Sequence, residues 1–385
     1  MKIKMERTLP VSSRREGPGP VPVTLVAGFF GSGKTTLLDQ TISGRPGMGV
    51  LSLAADGSPM GVDAAPDEDI IDVLGRLMAA GRPNHLFIEL DGDGEPLHVA
   101  EALVEATEEG DPLAGVVRLD RVVTVVDCRS FVADLQRAET FAVLPACDDD
   151  DERGVALVLA QQVEAADVVV LGHVDAVGAS ERAAVEARVA VLNPSAAVVA
   201  GPLEWEDTLQ QGVFDMDQTM ARPGWLVTLT ADPPVEPSSS GLVFRARRPF
   251  HPTRLRDWLD AAWPGVVRAH GWFWVASRPH LTAELDLVCN AWESDASGVW
   301  FAALPPEERD AEPDLLEELE ALWHPVFGDR RNELSVVGVG MDPDFIRAGF
   351  ERALCTDDEL ALLADPSVVP HPFPWPEAPD AVSPD

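Results

Sequence analysis

The sequence predicts an α/β fold, a mainly parallel sheet covered by helices, followed by a smaller α+β unit. Three observations predict it. Short apolar, β-branched runs alternate with helical patterns from Val21 to about Pro223, which is the signature of strands buried on both faces. A glycine-rich segment, residues 28–36, separates the first such run from the first helical pattern. Past residue 4 the chain of 385 residues contains one lysine, Lys34, and it lies inside that segment.

In chain order, residues 1–20 are basic, polar and proline-rich and read as a loose arm. Residues 21–27 (VPVTLVA) read as a buried strand. Gly28-Phe29-Phe30-Gly31-Ser32-Gly33-Lys34-Thr35-Thr36 then satisfies G-x-x-x-x-G-K-[ST], the phosphate-binding loop of P-loop NTPases. The glycines let the backbone curl so that its amides, with Gly31, Ser32, Gly33 and Thr36 among them, face a phosphate chain. The following helix adds partial positive charge at its N-terminus. Lys34 supplies a compact point charge for the β- and γ-phosphates, where the planar fork of arginine fits less well. The Thr35 hydroxyl is placed to hold Mg²⁺.

Further strands are read at 49–54, 85–89, 121–127, 167–171 and 196–200, with helical patterns at 69–80, 96–107 and 181–191 between them. The P-loop domain spans 21–223. Residues 224–241, with the run ADPPVEPSSSG, form a linker by composition. A second unit covers 242–364 and is marked by tryptophan, eight of the ten lying between Trp225 and Trp323. The proline-rich tail, 365–385, is expected to be poorly ordered.

A P-loop enzyme needs an acid at the end of a second strand to serve the metal ion or the attacking water. Glu89 ends an apolar strand and is followed by Leu90-Asp91-Gly92; Gly92 lets the backbone approach the γ-phosphate. A calcium loop over the same acidic run fails, because its twelfth position is Ala100 where a bidentate carboxylate is required. Guanine recognition uses an Asn-Lys-x-Asp run after a later strand. Here that place holds Gly172-His173-Val174-Asp175. Asp175 keeps the purine-discriminating carboxylate, His173 can stack on the base, and Gly172 has no side chain for N7. Losing one such hydrogen bond weakens binding by about 0.5–1.5 kcal/mol.

The formal charge of −36 argues against nucleic acid and anionic membranes as partners. No stretch approaches a membrane span, and the N-terminus lacks the apolar core of a secretory signal. The four cysteines (Cys128, Cys147, Cys289, Cys355) fit neither a C-x-x-C metal pattern nor a compact disulfide framework, so a cytoplasmic setting is expected.

On these residues the chain resembles the CobW family of GTPases, over about residues 21–364. The phosphate loop, Glu89-Leu90-Asp91-Gly92, Glu95-Pro96 and the blocks 122–127 and 162–175 carry the resemblance in the first unit. In the second, it is carried by Arg248-Pro249-Phe250-His251-Pro252, by residues 268–279 (RAHGWFWVASRP), by 328–334 (GDRRNEL) and by 356–359 (TDDE). The resemblance implies GTP hydrolysis with Mg²⁺ on Thr35 and Glu89, and coupling to a client protein in zinc or cobalt homeostasis. It also implies a Cys-x-Cys-Cys metal motif ahead of the acid strand, but the corresponding stretch, 57–68 (GSPMGVDAAPDE), has no cysteine. Asp56, Asp63, Asp67 and Glu68 supply only hard donors, so zinc carriage is doubtful. Two rival readings remain: a nucleotide-gated scaffold with little turnover, and an ATP-using enzyme that has lost guanine selectivity. Trp272-Phe273-Trp274 reads as strand core with one exposed ring; a partner-docking surface, with Trp274 as its probe, is the alternative.

Overall fold

A computed structural model describes residues 19–54, 59–60, 69–145, 147–201, 214–305, 309 and 313–375. The arm at 1–18 and the residues Asp56, Asp63, Asp67 and Glu68 lie outside the described residues. The chain divides into two compact units, Met1–Leu135 with Glu139–Gly224, and Gln136–Ala138 with Trp225–Asp385.

The first unit is built on a seven-stranded sheet. Its strands are β1 (Val21–Ala27), β2 (Met48–Leu53), β3 (Pro59–Met60), β4 (His85–Leu90), β5 (Val117–Asp127), β6 (Val168–Gly172) and β7 (Ala197–Ala200), in the order β3-β2-β4-β1-β5-β6-β7. All neighbours are parallel except β3, which runs antiparallel on the edge of β2. Parallel neighbours need crossovers, and these include α1 (Lys34–Ile42), α2 (Ile70–Ala80), α3 (Pro96–Glu105), α5 (Val155–Glu164) and α6 (Ala179–Leu192), with a one-turn α4 (Phe131–Asp134) after β5. Val21, Val23 and Leu25 of β1 pack with Val73 and Leu74 of α2 and Leu103 of α3. Val26 packs on the other face with Leu37 and Leu38 of α1. Both faces are thereby buried, which is why these strands are written as unbroken branched aliphatics.

The helix α5 has no counterpart in the sequence reading. Nine of its ten residues are buried, so it lacks the polar stripe that gives an amphipathic helix its period. Strand β5 starts four residues before the expected Arg121, because Arg118 and Asp120 interrupt its apolar run.

The second unit is a five-stranded antiparallel sheet of β8 (Gly241–Ala246), β9 (Val266–Phe273), β10 (Leu281–Val288), β11 (Ala291–Val299) and β12 (Asn332–Gly338), in the order β11-β10-β9-β12-β8. Two helices, Pro252–Leu259 and Pro343–Ala353, pack with it around Phe244, Phe250, Trp258, Phe273 and Phe350.

Two sequence expectations need correction here, and one alternative is removed. The stretch read as linker begins with a helix, Gly224–Thr230, whose Leu229 is buried and whose Leu229 carbonyl accepts from Arg245 Nη2 at 3.0 Å. The tail is placed as far as Trp375. Phe373 and Trp375 belong to the core of the second unit, and Trp375 Nε1 donates to the Ser294 carbonyl at 2.8 Å; the prolines that suggested disorder space aromatic anchors. Trp274 is 1 % exposed and clusters with Trp300 and Phe327, so it offers no docking surface.

Candidate nucleotide-binding site

Strand β1 is the centre of its sheet. The chain leaves it through α1 toward β2 on one side, and later passes from β4 to β5 on the other. The crevice outside the carboxyl ends of strands at such a reversal is where open α/β sheets bind ligands. The phosphate loop occupies it. Gly28, Gly31 and Gly33 have φ of 137°, 72° and 102°, values that L side chains rarely adopt. At Gly28 space forbids a side chain as well, since a Cβ would stand 2.2 Å from the Val125 carbonyl oxygen. Gly33 is the N-cap of α1, so the helix begins at Lys34.

Lys34 is buried, and its Nζ donates to the carbonyls of Gly28 and of Phe29, the latter at 3.3 Å. Burial lowers its pKa, while Glu89, Asp91 and Asp93 push it back up. The Thr35 hydroxyl donates to Glu89 Oε1 at 2.6 Å. The parallel register that sets Glu89 beside Val26 brings strand β4's acid to the loop. Two hard oxygen donors, in a region that already holds three carboxylates around one ammonium, fit a small divalent cation. Ser32 is 1 % exposed and its Oγ has no hydrogen-bond partner, a condition that an anion's oxygen relieves. The loop therefore fits a magnesium-bound polyphosphate.

Gly92 lies against the loop: a Cβ there would sit 2.4 Å from the Phe30 ring and 2.6 Å from its amide nitrogen. Its own amide donates to Asp91 Oδ1 at 2.7 Å. Behind it, Gln162 of α5 is buried and donates from Nε2 to the carbonyls of Gly92 and Gly94, at 3.1 and 2.8 Å. Arg153 completes the support, bonding Asp151, Glu95 Oε1 and the Asp93 carbonyl; its pKa is raised, chiefly through Asp151. The Arg153 guanidinium lies 5.5 Å from the Phe141 ring centre, and Phe141 packs with Phe29 and Phe30.

On the far side of the loop, Gly172 ends β6. A Cβ at Gly172 would stand 2.7 Å from the Ser32 carbonyl oxygen. Its missing side chain thus matches close backbone approach to the phosphate loop. His173 follows in the left-handed region (φ 55°), with its Cε1 3.6 Å from where a Gly33 Cβ would be. Asp175 is exposed, in a short 3-10 turn, Val174–Ala176. The structure thus brings Gly31, Ser32, Gly33, Lys34, Thr35, Glu89, Gly92 and His173 together; Thr36 lies one residue further along α1 and is exposed.

Residues 22–66 and 65–200 match the model of the CobW/HypB/UreG nucleotide-binding domain, and residues 239–354 match the cobalamin synthesis protein cobW C-terminal domain. A zinc chaperone of Mycobacterium tuberculosis is 31 % identical over 330 residues, covering 82 % of this chain and 79 % of that protein. The chain belongs to the CobW family of P-loop GTPases. Zinc-regulated GTPase metalloprotein activator 1 of Dictyostelium discoideum is 29 % identical over 390 residues, covering 90 % of this chain and 82 % of that one. Zn(II)-bound YjiA GTPase from E. coli aligns over 87 % of this chain and 99 % of its own at 16 % identity, with a TM-score of 0.35, too low to bear on the fold.

Two residues that brace this site escaped the sequence reading: Gln162 and Arg153. Gln162, like Glu164, is a polar side chain buried in an otherwise apolar helix, a signal hidden because the helix itself was not read. Among the described residues no group of three or more His, Cys, Asp or Glu side chains is arranged to hold a metal ion, and no helix is long and apolar enough to cross a membrane.

Proposed function

We propose that this chain hydrolyses GTP and couples its nucleotide state to a client protein in metal homeostasis, in the cytoplasm. The Thr35–Glu89 contact beside the curled glycine loop carries the reading. In it, the amides of residues 31–36 bind the phosphates and Lys34 neutralises charge developing on the β–γ bridge. The Gly92 amide turns from Asp91 to the γ-phosphate, and Asp175 accepts from the guanine edge. Thr35 and Glu89 would hold Mg²⁺, which would supply neutralisation of the phosphates' negative charge. Support for the metal context comes from two relatives, one a zinc chaperone and one a zinc-regulated GTPase metalloprotein activator.

Phosphate release from GTP by wild type and Lys34→Ala tests the activity. A loss of about 10²-fold or more is expected from removing the loop's ammonium. Equal release from both proteins overturns the assignment. Competition of ATP against GTP examines Asp175, since a preference for ATP removes its role. A second reading, a nucleotide-gated scaffold with little turnover, is favoured by one contact: the Gly92 amide is already held by Asp91. Tight binding of a non-hydrolysable GTP analogue beside negligible turnover would decide for it.

A further inference from the structure

Asp127, at the carboxyl end of β5, is not part of any phosphate or metal contact described above. Arg129 grips it at two points, Nε to Oδ1 at 3.0 Å and Nη2 to Oδ2 at 2.7 Å, and the Arg129 amide adds a third bond at 2.9 Å. Burial alone raises the Asp127 carboxyl, but the bonds from Arg129 and the neighbouring His173 outweigh it and hold its pKa below the usual range. The carboxylate is therefore both charged and fixed in direction. One oxygen, Oδ1, stands 3.4 Å from His173 Nδ1.

That ring nitrogen is shielded from solvent and has no hydrogen-bond partner. A carboxylate oxygen at that distance favours a proton on Nδ1 over a lone pair there. The ring itself is a third exposed, and it is pressed to the phosphate loop at Gly33 by a left-handed backbone that few residues other than glycine adopt. Gly172, one residue before, abuts the Ser32 carbonyl. Ring, backbone and carboxylate all converge on the rim of the loop.

We infer that Asp127, braced by Arg129, is a positioning residue that fixes His173 against the phosphate loop as the contact for a bound purine nucleotide. This rests on the nucleotide reading above and deepens it. His173 stands where a lysine stem would lie over the base, and a short ring reaches only if it is aimed. The carboxylate aims it, locks the tautomer with Nδ1 protonated, and leaves Nε2 and the ring face for the nucleotide. The acid reaches the ligand only through the histidine.

A double-mutant cycle tests this, with a fluorescent GDP analogue as the probe and Asp127→Ala, His173→Ala and the double variant in the full chain. Asp127→Ala is expected to weaken binding about tenfold, and to weaken it no further once His173 is alanine. A purely structural role gives the same loss in both backgrounds, and that result overturns the inference, as does unchanged affinity of Asp127→Ala. If wild type binds no guanine nucleotide, the nucleotide reading and the inference fall together; an intact wild type beside an unaffected Asp127→Ala sinks the inference alone. Nitrogen-15 NMR of the wild-type histidines is a second measurement, needing no variant to fold. A His173 ring protonated at Nδ1 supports the positioning role, and one protonated only at Nε2 overturns it.

Discussion

The two units reach a buried core by opposite means. In the first, the core is aliphatic: Val23, Leu25, Val26, Leu51, Ile88, Val122 and Val170 are all at most 2 % exposed. In the second it is aromatic, with Phe250 stacked near Phe244 and edge-on to Phe273, and Trp258 packed on Trp263 and Phe350. A parallel sheet covered on both faces has many inward positions per strand, so medium branched side chains fill it. Along β10 of the antiparallel sheet buried and half-buried residues alternate, so fewer positions on that strand face the core and each must fill more volume. The first solution leaves strand ends free to present loops to a ligand. The second concentrates stability in a few large rings.

The sharpest way to break that contrast is to remove one ring. Trp375 is 6 % exposed, stacks on Phe373 at 4.6 Å and is bonded to Ser294. Trp375→Ala should destabilise the second unit by about 3–5 kcal/mol. Trp225 and every tryptophan after it belong to that unit, so denaturant unfolding followed by tryptophan fluorescence reads it directly. Binding of guanine nucleotide reads the first unit and should be unchanged. An unshifted fluorescence midpoint would mean that the C-terminal segment does not belong to the core.

The contrast also explains what was legible. Branched runs such as VPVTLVA declare a buried parallel strand, and the loop 28–36 declares its ligand by spacing alone, because phosphate geometry dictates where glycine and lysine must stand. What stayed hidden depended on long-range contact. The seven residues from Phe87 to Asp93 look like strand and turn, but nothing local says that Gln162, 70 residues after Gly92, holds that glycine's carbonyl. Gly172 looked like a lost contact. Only the 2.7 Å approach to Ser32 shows why a side chain there meets the phosphate loop. Phe373 and Trp375 were misread because proline-rich spacing carries no information about what the aromatics between the prolines touch.

A buried histidine gives the first unit a dependence on pH. His85 is 0 % exposed at the start of β4, with Nε2 2.9 Å from the Thr24 hydroxyl. Burial lowers its pKa from 6.5 to about 4, against the opposing charge of Asp120. Between those values the unfolded chain holds a proton that the folded chain refuses, so stability rises with pH across the window. The contribution is complete above about pH 6.5 and is lost as pH falls to about 4, a change of about 3 kcal/mol. Replacing the imidazole by a group that does not titrate, as in His85→Gln, should flatten this dependence in the first unit. Melting of both proteins from pH 7.5 to 4.5, followed by circular dichroism, measures it, and parallel curves would refute the assignment.

The smallest effect compares two helix caps. Asp69 accepts the Asp72 amide at 2.9 Å and opens α2 in the first unit. Asp342 accepts the amides of Asp344 and Phe345 at 3.0 and 3.1 Å and opens the helix Pro343–Ala353 in the second. A helix start leaves four amides without intrahelical partners, and a capping carboxylate satisfies some of them while complementing the helix dipole. Replacement of either by alanine should cost about 1 kcal/mol, with Asp342→Ala the larger because two amides lose their acceptor. Asparagine at either position keeps an acceptor oxygen and should restore most of the loss. Fluorescence-detected unfolding should register Asp342→Ala, whose helix carries the core residues Ile346 and Phe350. Asp69→Ala should instead lower the stabilisation read through guanine nucleotide, because α2 packs against the same β1 whose end becomes the phosphate loop. If both variants moved both signals equally, the two units would unfold as one body, and the division between an aliphatic ligand-binding unit and an aromatic stabilising unit would lose its thermodynamic meaning.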